Sequence, residues 1–324
     1  MLTDTTNTDS HTLDSSHLYA VIIANPNSGS GVFLHNANHL HETLSFLRSH
    51  GWRAELCYTQ GPGHAQRLAG KAVEQKADLV IAAGGDGTIN EIIQALAGSE
   101  TALGVLPSGT VNVWAREMGI PLDDTRAREI LVHGQMRRVD LGRVNSRYFL
   151  MMVGIGLDGT ITEAVEKKLL KRLGILGYLL AATWLGPGYP GFPITLRINE
   201  NNVQIRALQI FIGNTQLYAG AFKFTWQAKC DDGLLDLCIV RKRGPLGRIV
   251  VLWDFILRRK QRSLWVRYET FTSIEIDSPQ PIAIQVDGEA AGYTPATFSV
   301  VPGALKVIVP QKTSEGVFSQ SKQS

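Results

Sequence analysis

Several classes of protein are excluded by what this chain lacks. It has only three cysteines, Cys57, Cys230 and Cys238, an odd number with no CxxC pair. That rules out a disulfide scaffold or a cysteine-based zinc site. It suits a reducing compartment, with the three thiols acting as small buried hydrophobes. The longest apolar run, LGILGYLLAATWLG at 173–186, falls short of the roughly 20 residues that span a bilayer. A formal net charge of +3 is too small to point to nucleic acid. Residues 1–17 are rich in Thr, Ser, Asp and Asn with no apolar core, so they read as a disordered tail and not a signal peptide. Residues 311–324 read as a flexible C-terminal tail. Two phosphoryl-transfer architectures are also excluded: there is no GxxxxGK[ST] string and no protein-kinase HRD or DFG set.

What remains is an ordinary globular composition, 44% hydrophobic and 19% charged, long enough for two domains. Over 18–137, short apolar runs at 18–24, 53–58, 78–83 and 102–106 alternate with helix-spaced apolar residues. Ala65, Leu68, Ala69, Ala72 and Val73 form one such stripe; Ile89, Ile92, Ile93 and Leu96 form another. This alternation predicts a three-layer α/β domain with a parallel sheet. From 138 to 310 strand-like segments dominate, at 148–153, 192–199, 203–212, 234–240, 271–276 and 282–286, with helical insertions at 161–184 and 246–260. This half reads as an antiparallel β domain.

The densest chemistry lies at Gly84-Gly85-Asp86-Gly87-Thr88, followed by Asn90-Glu91, between an apolar strand and an amphipathic helix. Glycines let the backbone turn sharply and approach a ligand, and the N-terminus of the following helix favours an anion. Asp86 would repel a phosphate unless a cation such as Mg²⁺ lay between them. A plain turn with a capping Asp or Thr accounts for glycine content alone, but the full string in this context favours nucleotide phosphate. Pro107-Ser108-Gly109-Thr110-Val111-Asn112 repeats the strand–turn–helix pattern, with Thr110 a phosphate contact or a helix cap. Asn25-Pro26-Asn27-Ser28-Gly29 closes the first strand. Three polar turns at the carboxyl ends of successive parallel strands form the edge where α/β sheets take ligands.

In the second half, Asp287-Gly288-Glu289 is by itself a hairpin signal. Asp158 is a candidate helix cap or cleft residue. Asp231-Asp232-Gly233 is a turn or the carboxylate of a hard-cation site. Basic residues at 167–172 and at Arg248, Arg258, Arg259, Lys260 and Arg262 accompany large apolar ones. Such helices dock on membrane surfaces or pack on the β domain with a solvated edge.

These strings together closely resemble the diacylglycerol kinase catalytic-domain family, which includes bacterial lipid kinases and sphingosine kinases. The match runs from Asn25-Pro26 through GGDGT, Pro107 to Asn112, GIGLD at 154–158 and Asp232-Gly233-Leu234 to Asp287-Gly288-Glu289. The resemblance implies an α/β nucleotide domain and a C-terminal β-sandwich with the active site in the cleft between them. It implies ATP contacts at Thr59, at Gly84, Gly85, Asp86, Gly87, Thr88 and Asn90, and at Thr110, with Asn25, Ser28 and Asn112 shaping the same site. Glu289 would be the proton acceptor and Asp86 the other catalytic carboxylate. Mg²⁺ would sit on the Asp232 carboxylate and main-chain oxygens near Lys229 and Leu234. The implied reaction is transfer of the ATP γ-phosphate to a lipid hydroxyl, by a cytoplasmic enzyme peripherally associated with membrane and with no nucleic-acid partner. A homodimer is compatible with this. The acceptor stays open among diacylglycerol, a sphingoid base, phosphatidylglycerol and a polyprenol. The chain departs from the family at Val113, where an acidic residue is usual, and at Gly159, where Ala is usual. A kinase for NAD, or a weakly catalytic nucleotide-binding protein of membrane surfaces, are the rival readings.

Overall fold

The structure is a computed structural model and describes residues 18–26, 28, 33–156, 191–198, 201–218, 222–241 and 266–319. The first half contains β1 (Tyr19–Ala24), α1 (Phe33–Ser49), β2 (Arg53–Tyr58), α2 (His64–Glu74), β3 (Leu79–Gly84), α3 (Asp86–Leu96), β4 (Ala102–Pro107), α4 (Val113–Met118) and α5 (Asp124–His133). The second half contains β5 (Gln135–Val144), β6 (Arg147–Phe149), β7 (Met152–Gly156), β8 (Phe192–Ile198), β9 (Asn201–Gly213), β10 (Leu217–Tyr218) and β11 (Phe222–Lys223). It continues with β12 (Leu235–Arg241), β13 (Val266–Phe271), β14 (Ser273–Asp277), β15 (Ala283–Val286), β16 (Glu289–Tyr293) and β17 (Ala296–Val309).

The α/β expectation holds. Strands β2, β1, β3 and β4 pair side by side, all parallel. Helices α2 and α3 pack together on one face, and α1 and α5 on the other. Strands β1, β3 and β4 are buried at every position. That is why they read as unbroken apolar runs and not as alternating ones. The second half is the expected β-sandwich. One layer is β8-β14-β17-β5-β6 and the other β16-β15-β7-β9-β12-β13. Strand β9 serves both layers, pairing with β8 up to Ala207 and with β7 and β12 beyond it. Between the layers Phe149, Ile155, Leu196, Ile212, Leu237, Ile276 and Phe298 form one buried cluster.

The halves are not separate sheets. The first part of β17 pairs with β14, while Lys306 and Val307 pair in parallel with Ala102 and Leu103 of β4. The strand that closes the sandwich therefore also extends the α/β sheet. A second tie is Glu117 on α4, which is buried and accepts main-chain N–H from Gln216 at 3.2 Å and Leu217 at 2.6 Å.

Three local expectations are corrected. The apolar segment 148–153 is two strands, because the N–H groups of Leu150, Met151 and Met152 all turn to the Asp287 carboxylate. The segment 271–276 is likewise divided between β13 and β14. Residues 311–319 are a packed segment and not a flexible tail. Val317 is fully buried, Cys230 N donates to the Val317 carbonyl at 2.9 Å, and the Arg137 guanidinium lies 4.4 Å from the centre of the Phe318 ring. Two apolar side chains are enough to anchor a segment whose composition is otherwise polar. All three cysteines are free thiols, with Cys230 and Cys238 buried as expected and Cys57 partly so. The tail 1–17, both helical insertions with their basic residues, Asp158 and Gly159 lie outside the described residues. Among the described residues no helix is long and apolar enough to cross a membrane.

Candidate active site

The three polar turns meet. At the end of β3 the chain enters α3 directly, so Asp86, Gly87 and Thr88 are its first turn and not a loop. Ser108 N donates to the Gly84 carbonyl at 3.1 Å, and the Ser28 and Ser108 hydroxyls are 2.8 Å apart. Asn25 Nδ2 donates to Thr88 Oγ1 at 3.4 Å. The closest approach is between two glycines: a Cβ built on Gly109 would stand 2.5 Å from the Gly85 Cα. Neither position can carry a side chain without forcing the turns apart. Asn112 holds the second turn in shape. Its side chain accepts from Gly109 N and donates to Gly109 O, both at 2.9 Å, with its own backbone left-handed at φ 52°. A pocket opens beside the junction, lined in part by Asn25, Ser28, Thr43, Tyr58, Ser108 and Asp124. Thr59 is buried, its N–H held by the Ala24 carbonyl at 2.9 Å.

Of the two options for Thr110, the capping one fails. No side chain of its own segment caps α4, and Thr110 is exposed at the turn. The cap comes from Asp86, whose carboxylate accepts Val113 N at 3.0 Å and Trp114 N at 3.2 Å. Burial raises the Asp86 carboxyl above its ordinary range, and these two N–H groups pull it back down. The main chain of Val113 therefore serves Asp86 directly. Glu91, one turn further along α3, caps α2 in the same way, accepting Gly63 N at 2.8 Å and Ala65 N at 3.0 Å. Helix α3 therefore supplies the N-terminal caps of both neighbouring helices.

Across from this junction stands the β15–β16 hairpin. Val286 pairs with Glu289, leaving Asp287 and Gly288 as a two-residue turn with φ of 48° and 88°. Positive φ at both positions is the hairpin turn that Asp-Gly favours. The Asp287 carboxylate is turned inward, receiving N–H from Leu150 at 2.9 Å, Met151 at 3.1 Å and Met152 at 2.8 Å, and Asn90 Nδ2 at 3.2 Å. Burial, with Asp86 nearby, nonetheless pushes its acid up to about 6. The same turn delivers Glu289 to α3: a Cβ built on Gly87 would stand 3.1 Å from Glu289 Oε1. Hairpin turn and cleft carboxylate are one device.

Sequence reading missed Arg147 here. Its Nη2 donates to Glu289 Oε2 at 2.5 Å and to Asn90 Oδ1 at 3.0 Å. The available signal was the two-residue Asn145-Ser146 turn between β5 and β6, with Asn145 at φ 51°, which starts a strand at Arg147. Only the fold brings that strand to α3.

Lys229, Asp232 and Leu234 lie in a separate loop before β12. Asp232 Oδ1 accepts Leu234 N at 3.1 Å. Asp140 pins the loop by accepting Gly233 N and Gly303 N, both at 2.7 Å. Burial and the neighbouring Asp140 and Asp231 raise the Asp232 carboxyl, while burial and Asp232 push Asp236 up to about 7. Among the described residues Asp140 and Asp231 have both carboxylate oxygens engaged by protein donors, while Asp232 keeps one oxygen outside these bonds, a donor compatible with a hard cation such as Mg²⁺. Among the described residues no three His, Cys, Asp or Glu side chains converge as ligands. A cation here would therefore depend on carbonyl oxygens and water beside Asp232.

Comparisons with known proteins cover both halves. The model of the diacylglycerol kinase catalytic domain matches residues 19–144. The model of the YegS C-terminal NAD kinase beta sandwich-like domain matches residues 151–309. The diacylglycerol kinase of Staphylococcus saprophyticus is 32% identical over 295 residues, which is 90% of this chain and 95% of the relative. That of Staphylococcus aureus strain JH9 is 32% identical over 90% of this chain and 92% of its own. A crystal structure of a diacylglycerol kinase from Bacillus anthracis, 22% identical, has the same fold, with a TM-score of 0.70 over 90% of this chain and 97% of that one. A second solved structure from Bacillus anthracis, 26% identical with the same coverage, gives 0.75.

Proposed function

Because this chain belongs to the diacylglycerol kinase family, we propose that it transfers the γ-phosphate of ATP to the hydroxyl of a lipid. The observation that carries this reading is Glu289 standing beside Gly87 at the first turn of α3. That position brings a partly exposed carboxylate to the turn best suited to phosphate. In the reaction the lipid oxygen attacks the γ-phosphorus, the bond to the β,γ-bridging oxygen breaks, and ADP departs. The hydroxyl proton passes to Glu289. The transition state is loose, so the protein's task is to align and to neutralise charge.

The residues divide that task. Gly85 and Gly109 allow the main chain of two turns to close on the triphosphate. Asn25, Ser28, Thr88 and Thr110 offer hydroxyl and amide groups around it, and the pocket by Thr43, Tyr58 and Thr59 takes the nucleoside end. Asp287 and Asn90 hold the hairpin that aims Glu289. Asp86 fixes α4 and lends negative charge for a metal–phosphate complex. Asp232, with the carbonyls of Lys229 and Leu234, would hold Mg²⁺, which when bound neutralises the carboxylate-rich loop.

A water-insoluble acceptor implies that the enzyme works at a bilayer surface, from the cytoplasmic side where ATP is available, without spanning it. Against the NAD-kinase reading stands Glu289 itself, a carboxylate aimed at the phosphate turn. The test is labelled ATP with and without Mg²⁺, offered diacylglycerol, a sphingoid base, phosphatidylglycerol and a polyprenol in micelles, with NAD as control. Label should enter one lipid and depend on Mg²⁺. Label in NAD alone, or in no lipid, refutes the proposal.

A further inference from the structure

Among the described residues of the cleft, Arg147 is left without a role by the reaction above. Its guanidinium is fixed at one end. Nη2 bridges Glu289 Oε2 and Asn90 Oδ1, and Asn90 is only 1% exposed and is itself bonded to Asp287. The rest of the head is reachable, because the Arg147 side chain retains 32% of its exposure and Glu289 44%. Arginine carries five N–H donors in a planar fork. Here a single nitrogen serves both protein partners, and among the described residues Nε and Nη1 make no hydrogen bond.

A carboxylate aimed at a triphosphate faces an electrostatic conflict, since like charges a few ångströms apart repel even where water screens part of the field. Among the described residues, Arg147 is the cation in hydrogen-bond contact with Glu289. It stands on the side of α3 where Gly87 meets that carboxylate. The guanidinium fork matches phosphate oxygens as well as it matches a carboxylate.

We propose that Arg147 binds the terminal phosphoryl group of ATP, bridging it to Glu289 and so distinguishing ATP from ADP. This rests on the kinase reading of the cleft. In the nucleotide-free protein Glu289 and Asn90 hold the guanidinium in place. When ATP is present, the free edge of the fork takes the γ-phosphate oxygens while Nη2 keeps the carboxylate. The base and the phosphoryl group are then positioned by one rigid cation.

The test is the affinity of the lipid-free protein for Mg·ATP and for Mg·ADP by titration calorimetry, in the parent, Arg147→Met and Arg147→Lys. Hydrogen bonds to a charged group are worth about 1.5–3 kcal/mol. Arg147→Met should therefore weaken ATP binding by roughly 10- to 100-fold, with ADP affected by less than about 2-fold. Arg147→Lys should fall between, since it keeps the charge without the fork. In the lipid assay kcat for Arg147→Met should drop by about 10²-fold, as when a transition-state donor is lost. A merely structural arginine would weaken both nucleotides alike or neither, and either result overturns the proposal while leaving the kinase reading intact. A parent protein that binds neither nucleotide overturns both.

Discussion

Replacing Asp86 with alanine tests a consequence of the fold that the motif alone conceals. In the GGDGT string Asp86 reads as a carboxylate facing phosphate across a cation. In the fold both its oxygens are already engaged, at 3.0 Å to Val113 N and 3.2 Å to Trp114 N. Alanine would strand those two donors. Trp114 is fully buried and Val113 half-buried. An unmet buried N–H costs about 1–3 kcal/mol, so about 2 for Trp114 and about 1 for Val113, which water can reach. Removing a carboxylate that burial disfavours returns part of this. The net loss is about 2 kcal/mol, or roughly 3 °C of Tm for a chain of this size. Asn keeps one acceptor and should lose about half as much. Differential scanning calorimetry on parent, Asp86→Ala and Asp86→Asn reads this directly. An alanine variant melting within about 1 °C of the parent would refute the capping argument. The asparagine variant separates cap from charge. If Asp86 also faces the metal–phosphate complex, Asp86→Asn should lose kcat far beyond what its small Tm change explains.

Glu289→Gln should lower kcat by about 10² to 10⁴ while leaving ATP affinity unchanged, which steady-state kinetics on a verified lipid substrate would check. Asp232→Ala should abolish the rise in Tm that Mg²⁺ gives the parent, because the loop before β12 loses its side-chain ligand; equal stabilisation of both proteins would place the cation elsewhere. Gly109→Ala should weaken ATP binding by 10-fold or more (about 1.4 kcal/mol), since its methyl would stand 2.5 Å from the Gly85 Cα; calorimetry would show it. Asp287 is held near pKa 6 in the fold against about 3.9 unfolded. The native state therefore binds the extra proton between those values, and the contribution to stability falls as pH rises from about 4 to about 6. Asparagine does not titrate, so the Tm advantage of the parent over Asp287→Asn should shrink across that interval by roughly 4 °C. A difference that stays flat with pH would show that the four N–H donors keep the carboxylate ionised throughout.

The α/β half was legible because its strands are buried on both faces and its turns are glycine-rich, so period and punctuation agree. The three turns were read singly, and their convergence followed from one rule about the carboxyl edge of parallel sheets. The Asp-Gly hairpin was legible too, since positive φ at Asp287 and Gly288 is a local demand. Contacts across the fold were not. Asp287 takes the N–H groups of Leu150, Met151 and Met152 from more than a hundred residues away, and no local pattern encodes that. Arg147 looks like any surface arginine after a turn until β6 is laid beside α3. The capping by Asp86 was hidden for a different reason: caps are sought just before a helix, and this one comes from the start of another.

The parallel pairing of β17 with β4 also governs the order in which the chain can become whole. Strand β4 ends at Pro107, and its outer neighbour, around Lys306 and Val307, emerges from the ribosome about two hundred residues later. At cellular translation rates that interval is about 10–40 s. Throughout it, the nascent first half presents a fully apolar strand with an unpaired row of N–H and C=O groups, the template on which chains aggregate. A fragment cut at residue 144 would keep that bare edge permanently.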